Sequence, residues 1–377
     1  MSNKPPVRIG VVGCGNVLGA YLALAERLKA KGLVDVTVAC GRERQRAVVL
    51  GEHRIPRFTL DWKDVVHSPD VDLVLILTSP GDHAAIAREA LQAGKHVLVE
   101  KPMAETLEEA ASLVELSKRS RGSLLCAPHV ILSQTYQTIA RRVRRGEIGR
   151  VVSARSRYGW SGPWWSTWFY GAASGPLIDL GVYNVTSLTG ILGPARRVAA
   201  VTANAIPERE VNGEKIRTRA ADNVHLVLEF GDAAYGTVTT GFTIQKYRSP
   251  ALELYGTAGT LQMLGDDWDP DGYELWRNDV GAWQYFIETD PEWPWTDGLR
   301  HLVECAQRGV RPIVTPEHAY HVLEIMIRAL ESGRDGEAKT VHSTFVPPIF
   351  HDPEHVEAAH LMHDRMRRND PKEAGSS

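Results

Sequence analysis

The sequence predicts an α/β Rossmann domain, a parallel doubly wound sheet, followed by a C-terminal α+β domain with a large, mostly antiparallel open sheet. Up to about Pro128 the apolar runs are short and continuous, and helix-period segments separate them, as for strands covered on both faces. Beyond that point the apolar residues alternate within short segments set between Gly, Asp and Asn, as for strands with one covered face. Length agrees, because 377 residues exceed what one hydrophobic core usually supports.

In the first half, strands are expected over residues 7–12, 36–39, 71–78, 96–99 and 124–127. Helices are expected over 21–31, 83–93 and 107–119, with Gly32, Gly94 and Gly122 as stops. In the second half, strands are expected over 223–230, 235–243, 252–255 and 273–276, and helices over 177–192 and 299–308 cover them. The domains read as 1–128, 129–345 and a tail over 346–377 that is Pro-rich, then a short polar helix, then a frayed end.

Forty-three basic residues face forty-six acidic ones, a formal charge of −3, so neither nucleic acid nor an anionic membrane is an expected partner. Cys14, Cys40, Cys126 and Cys305 lie far apart, form no CxxC pair, and read as reduced thiols, with no metal site implied. The charge-free stretch 9–25 is interrupted by Gly10, Gly13, Gly15 and Gly19, and the stretch 158–178 is filled with Gly, Pro, Ser and Thr. Neither suits a membrane span or a signal peptide, so a cytoplasmic location is expected.

The first strand ends in Gly13-Cys14-Gly15-Asn16-Val17-Leu18-Gly19, directly before a helix. Glycines there permit a tight turn and let backbone amides approach a pyrophosphate at the helix N-terminus, so a dinucleotide is expected at Gly13, Gly15, Asn16 and Val17. Leu18 stands where the third glycine of the pattern belongs. After the second strand, Gly41 holds the place of the usual ribose-binding acid, with Arg42 and Glu43 next. Arg42 could pair a 2′-phosphate, or lie on the adenine while Glu43 takes the ribose, so NAD and NADP both stay open.

The strand over 96–99 runs into Glu100-Lys101-Pro102 at the sheet edge where ligands bind. A lysine over a nicotinamide can bond a substrate hydroxyl and stabilise charge developing on its oxygen. The alternative is an ion pair at a helix start. With Gly13 to Asn16, Thr78-Ser79-Pro80, and Gly175-Pro176-Leu177-Ile178-Asp179-Leu180-Gly181-Val182-Tyr183-Asn184, this element makes the chain resemble the glucose–fructose oxidoreductase, inositol dehydrogenase and rhizopine-catabolism family. Gly146-Glu147-Ile148-Gly149 and Tyr255-Gly256-Thr257-Ala258-Gly259 extend the resemblance over most of the chain.

The resemblance implies cofactor contacts at Thr78, Ser79, Pro80, His83, Glu100 and Lys101, and catalysis by Lys101, Asp179 and Tyr183. Most of the family carries histidine where Tyr183 stands, and some members carry tyrosine. A phenol exchanges a proton with an alcohol if a neighbouring ammonium lowers its pKa, a role open to Lys101. Helical spacing sets Asp179, Tyr183, Thr186 and Ser187 on one face, with Ser174 or Gly175 as cap.

Substrate contacts are expected from His129, Asn184 and the aromatic loop with Trp160, Trp164 and Trp165, since sugar rings stack on indoles. A satellite hydrophobic cluster and a structural histidine are the plain alternatives. Lys246 and Arg248 would favour an anionic sugar if their turn reaches the site. The expected activity is hydride transfer between a secondary alcohol of a sugar or glycoside, at C3, and nicotinamide. One alternative is an NAD-dependent redox glycosidase with tightly held NAD, acting on a uronide or a sulfonated sugar. Another is a non-catalytic dinucleotide-binding regulator. A homodimer or homotetramer joined through the open C-terminal sheet is also expected, partly by resemblance.

Overall fold

The computed structural model describes residues 4–172, 174–248, 250–287 and 290–350. Strand β1 (Val7–Val12) feeds helix α1 (Leu18–Ala30), then come β2 (Val34–Cys40), α2 (Arg46–Gly51), β3 (Phe58–Thr59) and α3 (Trp62–Val66). There follow β4 (Leu73–Ile76), α4 (Pro80–Gln92), β5 (His96–Val99), α5 (Leu107–Arg119) and β6 (Leu124–Cys126). The six strands form a parallel sheet in the order β3-β2-β1-β4-β5-β6. Strand order reverses between β1 and β4, which opens a crevice at their carboxyl ends. Ile9, Val11, Leu73 and Val97 have no exposed surface, as continuous apolar strands between helix layers require.

Both α1 and α4 begin three residues before the expected starts, and α4 opens with Pro80 at its first position, a placement whose fixed φ suits a helix start. Gly32 and Gly94 take the positive φ expected of helix stops (71° and 75°). Gly122 does not stop α5, which ends at Ser120 in extended backbone; a Cβ at Gly122 would instead collide with the Lys95 carbonyl. The elements between residues 43 and 66 are too short to display a period, which is why the sequence did not announce them.

The second half contains α6 (Gln134–Arg144), β7 (Val151–Gly159), a π-helical turn (Leu177–Gly181), α7 (Val182–Leu192), β8 (Arg197–Ala203), β9 (Glu208–Val211) and β10 (Glu214–Arg217). It continues with β11 (Asn223–Glu229), β12 (Tyr235–Gly241), β13 (Leu252–Gly256), β14 (Gly259–Asp266), β15 (Asp269–Arg277), β16 (Ala282–Phe286), α8 (Gly298–Arg308), α9 (Pro316–Asp335) and β17 (Lys339–Thr340). Nine strands pair in the order β16-β15-β14-β13-β7-β12-β11-β8-β17, and only β7 and β12 run parallel. Burial alternates along β11 (Val224, Leu226 and Leu228 inside; His225 and Val227 outside), so one face is covered and the other open.

The 20-residue α9 was not anticipated, although its signals were present: Thr315 accepts a hydrogen bond from the His318 amide at 3.3 Å, and Pro316 opens the helix. Helices α8 and α9 fold back on the first sheet. Tyr21 of α1 meets Trp295 edge-on at 5.7 Å, and Arg311 donates to the Lys118 carbonyl at 3.2 Å. Chain beyond the sequence boundary at 128 therefore completes the covering of the N-terminal sheet. The expected polar helix of the tail falls in residues 351–377, outside the described residues.

Candidate active site

Three strand ends bring the site together: Gly13 after β1, Thr78 after β4, and Glu100-Lys101 after β5. Gly13 has φ +102°, and a Cβ there would fall 2.5 Å from the Leu77 carbonyl carbon, so the turn must be glycine for it to close on β4. A Cβ at Gly15 would meet nothing within 4 Å, so open space adjoins the turn there. Helix α1 has Val17 at its N-cap, with no side-chain cap and no acid in its first turn, as an anion at the N-terminus favours. Thr78 Oγ1 is buried there with no hydrogen-bond partner among the described residues. These features fit a dinucleotide pyrophosphate on Gly13, Gly15, Asn16, Val17 and Thr78.

Other cofactor expectations resolve differently. Ser79 and Pro80 start α4, and His83 is fully buried with its ring nitrogens 2.7 Å and 3.0 Å from the Pro102 and Thr78 carbonyl oxygens. His83 thus braces the loops after β4 and β5. Glu100 turns inward and accepts from the Tyr21 hydroxyl at 2.7 Å and from the Lys101 amide at 3.1 Å. At the end of β2, Glu43 is held in a two-pronged pair with Arg46 (2.7 Å and 2.9 Å), and Arg46 lies over Phe58. Arg42 is exposed, and its amide donates to Gln45 Oε1 at 2.8 Å beside Gly41.

Lys101 and the helix of Asp179 meet as expected. Lys101 Nζ donates to Asp179 Oδ1 and to the Asp179 main-chain oxygen, both at 2.7 Å, and lies 5.4 Å from the Tyr183 ring centre. The two side chains are about 15% exposed, so the pair faces a crevice with little solvent. A π-turn at Leu177–Gly181 carries Asp179, a feature frequent at functional sites.

The shared polar face stops there. Thr186 and Ser187 are buried, Thr186 bonding back to the Val182 carbonyl and Ser187 to Asp267. Ser174 caps nothing; its hydroxyl ties the Trp168 and Gly171 carbonyls of the aromatic loop.

The electrostatics of Tyr183 correct one expectation. Burial pushes its phenol well above the usual pKa, and the Glu100, Asp179 and Asp267 carboxylates add to the rise. Lys101 gives its charge to Asp179, so Tyr183 is a neutral hydrogen-bonding phenol and not one activated to phenolate.

Two expected substrate contacts are buried. His129 is 1% exposed, packed against Gly298 and 3.5 Å from the Tyr21 hydroxyl, and burial pulls its imidazole down to about 3. Asn184 has no exposed surface and donates to Ser156 at 2.8 Å. Both are core residues behind the site.

In the aromatic loop Trp160 stacks on Trp165 at 5.6 Å, while Trp164 meets Trp165 edge-on and is 66% exposed. Asn212 of the β9–β10 turn donates to the Trp164 and Trp165 carbonyls, and Arg209 to that of Ser161, so the hairpin fixes the loop. Trp160 and Tyr158 both border the small core of Tyr170, Leu180, Val211 and Phe242, so the hydrophobic cluster and the wall beside Asp179 are one body. Lys246 and Arg248 are exposed, and Tyr247 between them donates to Asp266. Sequence reasoning missed Tyr158, whose ring meets Tyr183 edge-on at 5.7 Å, and Asp267; the inward alternation of β7 was the available signal for Tyr158.

A family model described as oxidoreductase family, NAD-binding Rossmann fold, matches residues 7–126, and one for the GFO/IDH/MocA C-terminal domain matches 136–262. A D-xylose dehydrogenase of Paenarthrobacter nicotinovorans is 28% identical over 59% of this chain and 62% of its own length. A trans-1,2-dihydrobenzene-1,2-diol dehydrogenase of Bos taurus is 24% identical over 86% of this chain and 97% of its own. Among solved structures, levoglucosan dehydrogenase in complex with NADH and levoglucosan superposes with a TM-score of 0.78 at 22% identity, covering 89% of this chain and 99% of that one. Among the described residues no helix is long and apolar enough to cross a membrane.

Proposed function

The chain belongs to the GFO/IDH/MocA oxidoreductase family, with its NAD-binding Rossmann domain, and from that premise we propose that it transfers a hydride between a secondary alcohol of a sugar or glycoside, at C3, and nicotinamide. The observation that carries this reading is the Lys101–Asp179 pair beside Tyr183, at the end of β5 on the same carboxyl edge of the sheet as the glycine turn after β1. The bound nicotinamide supplies the hydride acceptor or donor. Lys101 stabilises the substrate oxygen as it gains or loses charge, and Asp179 fixes the ammonium. Tyr183 exchanges the hydroxyl proton as a neutral phenol. The sugar relatives named above, acting on D-xylose and levoglucosan, support a carbohydrate substrate.

A second reading, net hydrolysis of a glycoside, is favoured by the Trp160–Trp165 wall and exposed Trp164, which offer stacking surface for a ring beyond the reacting sugar. Oxidation at C3 would acidify the C2 hydrogen, the C1 substituent would leave by elimination, and water addition and return of the hydride would close the cycle.

One experiment separates them: neutral and anionic nitrophenyl glycosides with NAD, following reduced cofactor and nitrophenol together. Stoichiometric reduction without nitrophenol supports the dehydrogenase; many nitrophenol turnovers without net reduction support the glycosidase. Neither signal with NAD or NADP, on any member of the panel or on free D-xylose and levoglucosan, defeats both. Val201, Val227, Trp283 and Tyr285 are exposed on β8, β11 and β16 and support a homo-oligomer through the open sheet, which sedimentation would test.

A further inference from the structure

We propose that Asp267 is a positioning residue for Tyr183: a buried carboxyl whose gain or loss of a proton sets the charge of the wall behind the phenol. The inference rests on the role given to Tyr183 above and extends it to a residue outside the crevice. Asp267 sits between β14 and β15 and is 1% exposed. Its Oδ2 accepts from Ser187 Oγ at 3.1 Å and lies 3.5 Å from Asn184 Nδ2; its Oδ1 has no partner among the described residues.

Asn184 follows Tyr183 in α7 and Ser187 lies one turn on, so the carboxyl grips the turn that aims the phenol. A second path is aromatic: Trp268 lies against Tyr158 at 6.2 Å, and Tyr158 meets Tyr183 at 5.7 Å.

No cation pairs with Asp267 among the described residues. The titratable groups that face it are Asp266 on its own turn and the phenols of Tyr136 (α6), Tyr158 (β7), Tyr183 (α7) and Tyr247 after β12. All are neutral or acidic, so an ionised Asp267 would be a buried charge with no cation opposite it, an arrangement that favours holding the proton. Burial accordingly pushes its carboxyl up to about 7, the hydrogen bonds from the Ser187 hydroxyl and from the Asp267 and Trp268 amides acting in the other direction. Loss of that proton places a negative charge behind Tyr183 and makes it harder for the phenol to give up its own. The Asp267 proton therefore sets how readily Tyr183 exchanges one with an alcohol.

The test is fluorine NMR of the full chain carrying fluorotyrosine, with the Tyr183 signal assigned by Tyr183→Phe. Between about pH 5 and 9 that signal should move with a midpoint near neutrality, and Asp267→Asn should abolish the movement. Ser187→Ala should move the midpoint upward, because the hydroxyl's donation favours the carboxylate. A Tyr183 signal that stays still in the unmodified chain, or keeps its midpoint in Asp267→Asn, overturns the proposal. If Asp267→Asn does not fold, an unmoved midpoint in Ser187→Ala overturns it. None of these readings needs turnover. Full NAD reduction by Tyr183→Phe on levoglucosan, alongside a midpoint lost in Asp267→Asn, would defeat the catalytic role of Tyr183 and uphold the coupling.

Discussion

Lys101 holds Asp179 by both its side-chain and its main-chain oxygen, each at 2.7 Å, and so joins the end of β5 to the π-turn before α7. A lysine on a flexible stem would ordinarily lose much of its positioning value to rotamer freedom. Gripped twice, it presents its remaining donor direction to the crevice at a fixed place.

Lys101→Ala should therefore lower kcat by about 10²–10³, the usual effect of removing one preorganised donor to a developing oxyanion. Cofactor affinity should stay within about twofold, since the dinucleotide turn is built by Gly13 and Gly15 on another strand. Stopped-flow NADH release with parallel fluorescence titration checks both halves. Unchanged turnover would remove Lys101 from the reaction.

Tyr183→Phe keeps the ring and its contact with Tyr158 and deletes only the hydroxyl. A loss of about 10²–10⁴ in kcat is expected of a group that exchanges a proton in the transition state. Because the phenol is held well above its usual pKa, the parent's rate profile should show no inflection assignable to Tyr183 below about pH 10. An inflection below that pH that disappears in Tyr183→Phe yet persists in Asp267→Asn would show the phenol to be activated after all, whereas one lost in both variants belongs to Asp267.

At the adenine end, Glu43 is tied to Arg46 while Arg42 is exposed beside Gly41. Arg42→Ala should weaken NADPH binding about tenfold or more and NADH binding about twofold or less, since only the former offers a 2′-phosphate to a guanidinium. Isothermal titration of both nucleotides decides it; equal losses would place Arg42 on the adenine instead.

Long-period features were legible and local ones were not. The doubly wound sheet and the place of the glycine turn followed from apolar runs and motif spacing, because a buried strand's end must point to the crevice, while the meeting of Lys101 with Asp179 was implied by the family resemblance and not by spacing. Thr186 and Ser187 were misread, since helical spacing gives a face but not what covers it. Here Thr186 lies among Val322 and Met326 of α9 and the loop after β5, and Ser187 meets Asp267 from a strand turn 80 residues away. His129 was equally ambiguous: a histidine after a strand end is a site residue only if nothing packs on it, and Gly298 from α8 does. Such partners lie beyond any local window.

The imidazoles buried in that way make the fold acid-labile. His129 and His318 are pulled down by burial to about 3, and His301 and His321 to about 4. An unfolded histidine titrates near 6.5, so between roughly pH 6.5 and 4 the unfolded chain binds up to four more protons at these sites than the native one. Stability then rises with pH across that window and is lost as pH falls, by at most about 1.4 kcal/mol per pH unit for each site.

Asp267, raised to about 7, opposes with one proton, because the native state keeps a proton that the unfolded chain releases above about pH 4. Four against one leaves a net loss. The melting temperature should fall clearly from pH 7 to pH 5 in a calorimetric series. His318→Gln, which keeps a polar group for the Thr189 hydroxyl 2.8 Å away, should flatten that slope even if it lowers stability at pH 7. A melting temperature that is level from pH 7 to pH 5 would mean that these imidazoles are not held neutral in the native core.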